Sequence, residues 1–255
     1  MAPLTGKRAL VTGGGRGIGA AIVRRLAADG ADVAINYRSG EESATALAHE
    51  ISSGGNASVA LQGDLAKDGA AADLVSRTVD ALGGLDILVS NAGVEHFGAL
   101  ETITRADVDR VFGINVSGQL FAAQAAAAVM GEGGRIVLTS SVSARIAVTH
   151  HTLYAASKAA VSAMALNLAP ELARRAITVN AIAPGGTRTD MAAENAARYT
   201  RPQLQDLPTE TQMSLLGSVG RLAEPSEIAA AVAFLVSPDS SYVTGSTLAV
   251  DGGWM

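Results

Sequence analysis

The sequence predicts an α/β protein built on one doubly wound, seven-stranded parallel sheet with helices on both faces. Three observations carry this. Short β-rich runs alternate with longer amphipathic segments along the 255 residues, the pattern left by right-handed βαβ crossovers. Apolar residues form 48% of the chain and charged residues 17%, enough to bury both faces of such a sheet and too apolar for disorder. Nothing in the composition marks a linker, so residues 1–255 are read as a single domain.

In chain order, the strands fall at residues 8–12, 32–37, 57–62, 85–90, 135–140, 177–183 and 247–250. Helical patterns fall between them at 17–29, 41–53, 69–82, 105–130, 152–175 and 224–236. The alanine run from Ala122 to Ala128 reads as helical filler within its helix. One stretch breaks the rhythm. Between Gly185 and Arg221 there is no strand pattern, only Pro202, Pro208 and a short helical pattern over 191–199. A connection of that length is expected to act as a lid over about 186–220, the alternative being a plain surface insertion.

Several classes are disfavoured. The chain has no cysteine, which excludes disulfides and thiolate metal sites and fits a reducing compartment. No metal cluster of histidines and carboxylates at ligand spacing appears. Met1–Arg8 leads straight into a strand pattern, with no apolar stretch of signal or membrane-spanning length, so a soluble, cytoplasmic protein is expected. A net charge of −5 with dispersed Lys and Arg offers no footprint for a nucleic-acid backbone.

In a doubly wound sheet, ligands bind at the carboxyl ends of the strands. The first strand ends in Thr12-Gly13-Gly14-Gly15-Arg16-Gly17-Ile18-Gly19 and runs into a helix. Glycines there let the chain turn tightly and let a pyrophosphate approach the positive helix N-terminus. The second strand ends in Asn36-Tyr37-Arg38-Ser39, without the acid that would take a ribose 2′-hydroxyl in an NAD site. Arg16, Arg38 and Ser39 together suit a 2′-phosphate, so NADP(H) is the expected cofactor; as an alternative, both arginines are solvated loop charges. Asp64, with Leu65 beside it just past the third strand, is placed to meet the adenine, or serves as a helix N-terminal acid.

Tyr154 and Lys158 are four residues apart, so both emerge on one helical face. A free phenol titrates near ~10, and a neighbouring ammonium would make it a usable acid/base. Ser141, at the end of the fifth strand, can hydrogen-bond a substrate oxygen. Loop residues expected above the strand ends supply candidate substrate contacts: His96, Phe97, Val148, His150, Met191 and Tyr199. The histidines read equally as solvent-facing, and Met191 and Tyr199 as lid packing.

Together, the glycine turn, Ser90-Asn91-Ala92-Gly93, Asn115 within Ile114-Asn115-Val116, Ser141, Tyr154-Ala155-Ala156-Ser157-Lys158, and Pro184-Gly185 with Thr189 resemble the short-chain dehydrogenase/reductase family over essentially the whole chain. The resemblance implies a Rossmann fold and a catalytic set of Asn115, Ser141, Tyr154 and Lys158. Asn115 would hold a water linking Lys158 to solvent, or simply kink its helix. Asn91, Ala92 and Gly93 would line the adenosine side. Pro184, Gly185, Thr187 and Thr189, with Met191, would approach the nicotinamide. Ser90 departs from the second asparagine more usual there. Asn36-Tyr37-Arg38-Ser39, Phe97-Gly98, Thr189-Asp190-Met191 and Asp251-Gly252-Gly253-Trp254-Met255 are further similar to polyhydroxynaphthalene reductases and aromatic, angucycline-type polyketide ketoreductases of antibiotic biosynthesis.

The expected activity is therefore NADPH-dependent reduction of a fused-ring aromatic or polyketide ketone. Reduction of a 3-oxoacyl thioester or a general carbonyl is the chief rival; a carrier-linked substrate would need a basic patch, for which Arg145, Arg188 and Arg201 are candidates. A dehydratase or epimerase on the same fold, and a non-catalytic NADP-binding regulator, are further alternatives. Small residues on several faces of helices 105–130 and 152–175 suit packing between subunits or on the chain's own sheet. The resemblance implies a homotetramer, with Trp254 and Met255 near an interface.

Overall fold

The computed structural model describes residues 2–199, 207–208, 211 and 217–254; Arg201, Pro202 and Met255 lie outside them. Strands β1 (Arg8–Thr12), β2 (Asp32–Tyr37), β3 (Ser58–Gln62), β4 (Ile87–Ser90), β5 (Arg135–Thr139), β6 (Thr178–Pro184) and β7 (Thr247–Val250) form one sheet in the order β3-β2-β1-β4-β5-β6-β7. Every pairing is parallel. The helices are α1 (Gly17–Ala28), α2 (Glu41–Ser53), α3 (Ala70–Leu82), α4 (Arg105–Phe112), α5 (Gly118–Val129), α6 (Thr152–Leu172), α7 (Asp190–Tyr199) and α8 (Pro225–Val236).

Alternating strand side chains feed two cores. Val11, Val33, Ile35, Val89 and Val137 pack beneath α1, α2 and α8, while Leu10, Ala34, Leu88, Ile136 and Leu138 pack beneath α3, α5 and α6. Both faces are dry, which is why the strands read as continuous apolar runs rather than alternating ones. The strand order reverses between β1 and β4, and that reversal opens a crevice at their carboxyl ends.

The expected boundaries hold to within a residue or two, with two informative exceptions. The run expected as one helix over 105–130 is interrupted by a π-helical segment, Gly113–Ser117, between α4 and α5. The end of the run over 152–175 tightens into a 3₁₀ turn, Ala173–Arg175. No helix among the described residues is long and apolar enough to cross a membrane.

Candidate active site

The crevice is shaped first by the β1–α1 turn. Gly13 has φ +61°, and a Cβ on Gly19 would stand 2.1 Å from the Gly13 carbonyl oxygen, so neither position admits a side chain without moving the turn. Thr12 Oγ1 accepts from the Asn91 and Ala92 amides at 2.9 and 3.0 Å. Asn91 Nδ2 donates back to the Thr12 and Gly13 carbonyls, both at 3.2 Å. These bonds lock the ends of β1 and β4 together. Asn36, a residue the motif reading did not single out, is 2% exposed. Its side chain takes the Gly13 amide at 3.3 Å and donates to the Gly63 carbonyl at 3.1 Å, tying the turn to the segment after β3.

A cleft of about 1180 Å³ runs from this turn across the strand ends. Gly13, Arg16, Gly17, Ile18 and Gly19 line one end with Tyr37, Arg38, Ser39, Asp64 and Leu65. Asn91, Ala92 and Gly93 line its middle, and Ser141, Tyr154, Lys158, Pro184, Gly185, Thr187, Thr189, Met191 and Tyr199 its far end. Neither Arg16 nor Arg38 forms an ion pair among the described residues. A glycine cradle at a helix N-terminus, with two uncommitted guanidiniums beyond it, matches a dinucleotide bearing a 2′-phosphate. Asp64 Oδ1 also accepts from the Ala66 amide at 3.1 Å, so it caps its own turn as well as facing the cleft.

At the far end, α6 carries Tyr154 and Lys158. Lys158 is 3% exposed; its Nζ donates to the Thr139 carbonyl at 2.9 Å and lies 5.4 Å from the Tyr154 ring centroid. Burial pushes the Lys158 ammonium down to about 8, against an opposing pull from Glu95. Burial, with the negative charge of Glu95 second, pushes the Tyr154 phenol well above its ordinary value, and the Ser141 hydroxyl partly offsets this. Ser141 Oγ accepts the Ser143 amide at 3.2 Å. Asn115 lies behind the cleft wall rather than on it. Its Oδ1 accepts the Val94 amide at 2.8 Å, and its Nδ2 donates to the Val94 carbonyl at 3.0 Å and to Ser157 Oγ at 3.1 Å. Its side chain thus clamps the 93–95 segment against α6, and Gly93 lets that segment pass close to Lys158.

Of the six expected substrate contacts, Met191 and Tyr199 line the cleft, Phe97 packs against Tyr199 without lining it, and three lie elsewhere. Phe97 stacks on His151 with centroids 4.3 Å apart and meets Tyr199 edge-on at 5.0 Å. Met191 lines the cleft from α7. His96, Val148 and His150 do not line it among the described residues. Side chains 95, 96 and 97 alternate, so Glu95 faces the cleft while His96 is buried against Gly98, its Nε2 3.7 Å from Asp107 Oδ1. His150 adopts φ 60°, and its exposed side chain leaves the inward position to His151, which is 1% exposed. Val148 serves the same turn through its carbonyl, which accepts the His151 amide.

Besides Asn36, two residues were given no site role by the sequence reading. His151 is stacked against Tyr154, centroids 4.6 Å apart. Glu95 accepts from His151 Nε2 and from the Tyr199 hydroxyl, both at 2.5 Å. The single sequence signal was that Glu95 directly follows the run through Gly93 and Val94. Trp254, expected near an interface, packs over the chain's own Gly186 and Gly217 and lines the cleft. The candidate basic patch is neutralised where it is described: Arg188 pairs with Glu224 at 2.8 Å and Arg145 with Asp251 at 3.5 Å. No group of three potential metal ligands occurs among the described residues.

A family model described as "Enoyl-(Acyl carrier protein) reductase" matches residues 13–255. A hydroxynaphthalene reductase-like protein Arp2 of Metarhizium brunneum is 43% identical over 98% of this chain and 95% of its own length. A short-chain dehydrogenase of Burkholderia cenocepacia, solved with NADP, superposes with a TM-score of 0.89 at 44% identity over 98% of both chains. An angucycline C-6 ketoreductase, LanV, solved with NADP, does so at 0.87 and 37% identity over 99% of this chain and 96% of its own. With the cleft, its glycine cradle and the Ser141, Tyr154 and Lys158 cluster, these likenesses identify the chain as a member of the short-chain dehydrogenase/reductase family and an NADP(H)-dependent oxidoreductase.

Proposed function

We propose that the chain is a ketoreductase acting on the carbonyl of a fused-ring aromatic or polyketide-type ketone. The observation that carries this reading is the aromatic cluster beside Tyr154, from which Tyr199 lines the cleft. Phe97 and His151 stack in sequence toward the Tyr154 ring, and Tyr199 closes the side edge-on, 5.4 Å from the His151 ring. Met191, Tyr199 and Trp254 give the far end of the cleft flat aromatic and apolar surface near Tyr154, which complements a flat ring system better than a flexible acyl chain. Relatives named hydroxynaphthalene reductase-like and angucycline C-6 ketoreductase support the same substrate class.

Bound NADPH supplies the hydride. Ser141 donates a hydrogen bond to the developing alkoxide, and the Tyr154 hydroxyl delivers the proton. A phenol held neutral by burial suits the reductive direction, because it must reach the alkoxide still protonated. Lys158 faces the Tyr154 ring with its ammonium and stabilises the phenolate left behind. Arg16, Arg38 and Ser39 hold the 2′-phosphate, and Asn115 keeps the 93–95 segment in place against α6. Of the lid expected over about 186–220, α7 is described and brings Met191 and Tyr199 to the cleft; residues 200–206, 209–210 and 212–216 lie outside the described residues.

The thioester reading is favoured by the description of the family model, but Arg145 and Arg188, two of the three arginines that would form a basic patch for an acidic carrier, are paired with carboxylates. Exposed Phe121 and Val129 on α5 and Leu166 on α6 support self-association through these helices, and a homotetramer is the proposed assembly.

NADPH oxidation by the purified protein tests the reading against a tetralone-type ketone, an aromatic polyketide ketone and a β-ketoacyl thioester. Turnover of the ring ketones is expected, with Tyr154→Phe lowering kcat/KM by about 10³-fold and leaving NADPH affinity within about twofold. Turnover confined to the thioester would replace this reading.

A further inference from the structure

Glu95 is an unusual residue for the wall of an apolar, aromatic cleft. Its side chain is 10% exposed, and it lines the same cleft as Ser141 and Tyr154. No Lys or Arg pairs with it among the described residues; its one ion-pair partner is His151. A buried carboxylate costs folding free energy unless strong donors meet it. Yet the donors that do meet it are few. Among the described residues, Oε1 takes His151 Nε2 at 2.5 Å and the His96 amide at 3.2 Å, while Oε2 takes the Tyr199 hydroxyl at 2.5 Å. A carboxylate offers about four acceptor positions, so Oε2 keeps capacity on the cleft side.

His151 and Tyr199 sit on different oxygens, so an amide in this place would keep an acceptor for only one of them. The charge supports the Lys158 ammonium, and it binds an acidic O–H more strongly than an alcohol. Tyr199 shows which donor the position takes: a phenolic O–H on an aromatic ring, seated edge-on against Phe97 and His151. Both faces of the His151 ring are covered, by Phe97 and Tyr154, so a planar substrate would meet this position from the cleft, which Glu95, Tyr154 and Tyr199 line together.

We propose that Glu95 is a specificity-determining residue that accepts a phenolic or enolic hydroxyl of the substrate, selecting hydroxylated fused-ring ketones over the same skeleton lacking that hydroxyl. The assignment rests on the ring-ketone reading above and deepens it. Tyr199 occupies the acceptor when substrate is absent, so the incoming hydroxyl joins or displaces it on Oε2.

The test is calorimetric titration of the NADP⁺-loaded protein, in which no reduction runs, with 1-tetralone and a set of its monohydroxylated positional isomers. At least one isomer should bind wild type about tenfold more tightly than 1-tetralone, a hydrogen bond to a charged acceptor being worth that much. Glu95→Gln, which removes the charge and keeps one acceptor oxygen for either His151 or Tyr199, should reduce that preference to about twofold or less. Tyr199→Phe removes the competing phenol and should preserve or increase it. No preference in wild type, a preference that survives Glu95→Gln, or one lost equally in Tyr199→Phe would overturn the assignment; the last would trace the effect to lid packing. Parallel NADPH oxidation separates this from the proposed function. Glu95-dependent binding without reduction removes the ketoreductase reading and keeps the site, whereas reduction without any hydroxyl preference does the reverse.

Discussion

Tyr154 and Lys158 are displaced by burial in opposite directions, both toward the neutral form, because each would otherwise carry a charge out of water. For Lys158 the consequence for stability can be signed. Its folded value of about 8 lies below the ordinary 10.5, so between those values the unfolded chain binds a proton that the native protein does not. Unfolding free energy of the cofactor-free protein therefore rises with pH across about 8 to 10.5, and below 8 the native state bears a buried charge. Lys158→Met should abolish this rise and increase Tm at neutral pH by about 3 °C or more while eliminating activity, as expected where function is held against stability. The Thr139 carbonyl does not lose its last donor in that variant, because Gln119 Nε2 reaches it at 3.1 Å. Thermal melts at several pH values decide the matter. At the other end of the cleft, Arg38→Ala should raise the NADPH KM about tenfold or more and leave the NADH KM unchanged, since only the 2′-phosphate distinguishes them. The Tyr154 and Lys158 spacing was legible because one helical turn sets it. The choice of His151 over His150 was not, because a single positive φ at His150 decides which of two adjacent histidines turns inward.

At the scale of elements, the β1–α1 turn and the π segment show how differently local signals are written. The turn is announced by its glycines, and Gly19→Ala should greatly weaken NADPH binding and destabilise the fold, because its methyl group would meet the Gly13 carbonyl. Fluorescence titration of NADPH and a melting curve read the two effects. The π segment Gly113–Ser117 has no comparable announcement. An amphipathic pattern over 105–130 is compatible with a continuous helix, and what widens it is non-local: Asn115 must reach Val94, twenty-one positions earlier in the chain, as well as Ser157 on α6. Asn115→Leu would leave the Val94 amide and carbonyl without these partners, at about 1–3 kcal/mol each. A fall in Tm of about 5–10 °C is expected, with loss of kcat as the 93–95 segment moves relative to Lys158.

Across the whole molecule, the sheet order places all of the cofactor and proton-transfer groups on one edge of the fold, since parallel strands end on the same side. The surfaces away from that edge carry the remaining prediction. Phe121 is 51% and Leu166 61% exposed on α5 and α6, more apolar area than isolated surface residues require. Sedimentation equilibrium should give a tetramer, and Phe121→Asp with Leu166→Asp should shift it to smaller species at micromolar concentration. A monomer in the unsubstituted protein would refute the assembly.

By itself the sequence determined the sheet, the glycine cradle, the absence of an acid at the end of β2 and the shared helical face of Tyr154 and Lys158. Each is written in residues that are close in the chain or at the ends of regular elements, where period and turn chemistry decide position. Only the tertiary structure decided that Asn115 clamps Val94, that His96 turns away, and that Glu95 meets His151 and Tyr199 beside the phenol. Those contacts join segments up to 104 residues apart, and their geometry depends on which way an irregular loop presents each successive side chain, a choice that packing makes and local pattern does not encode.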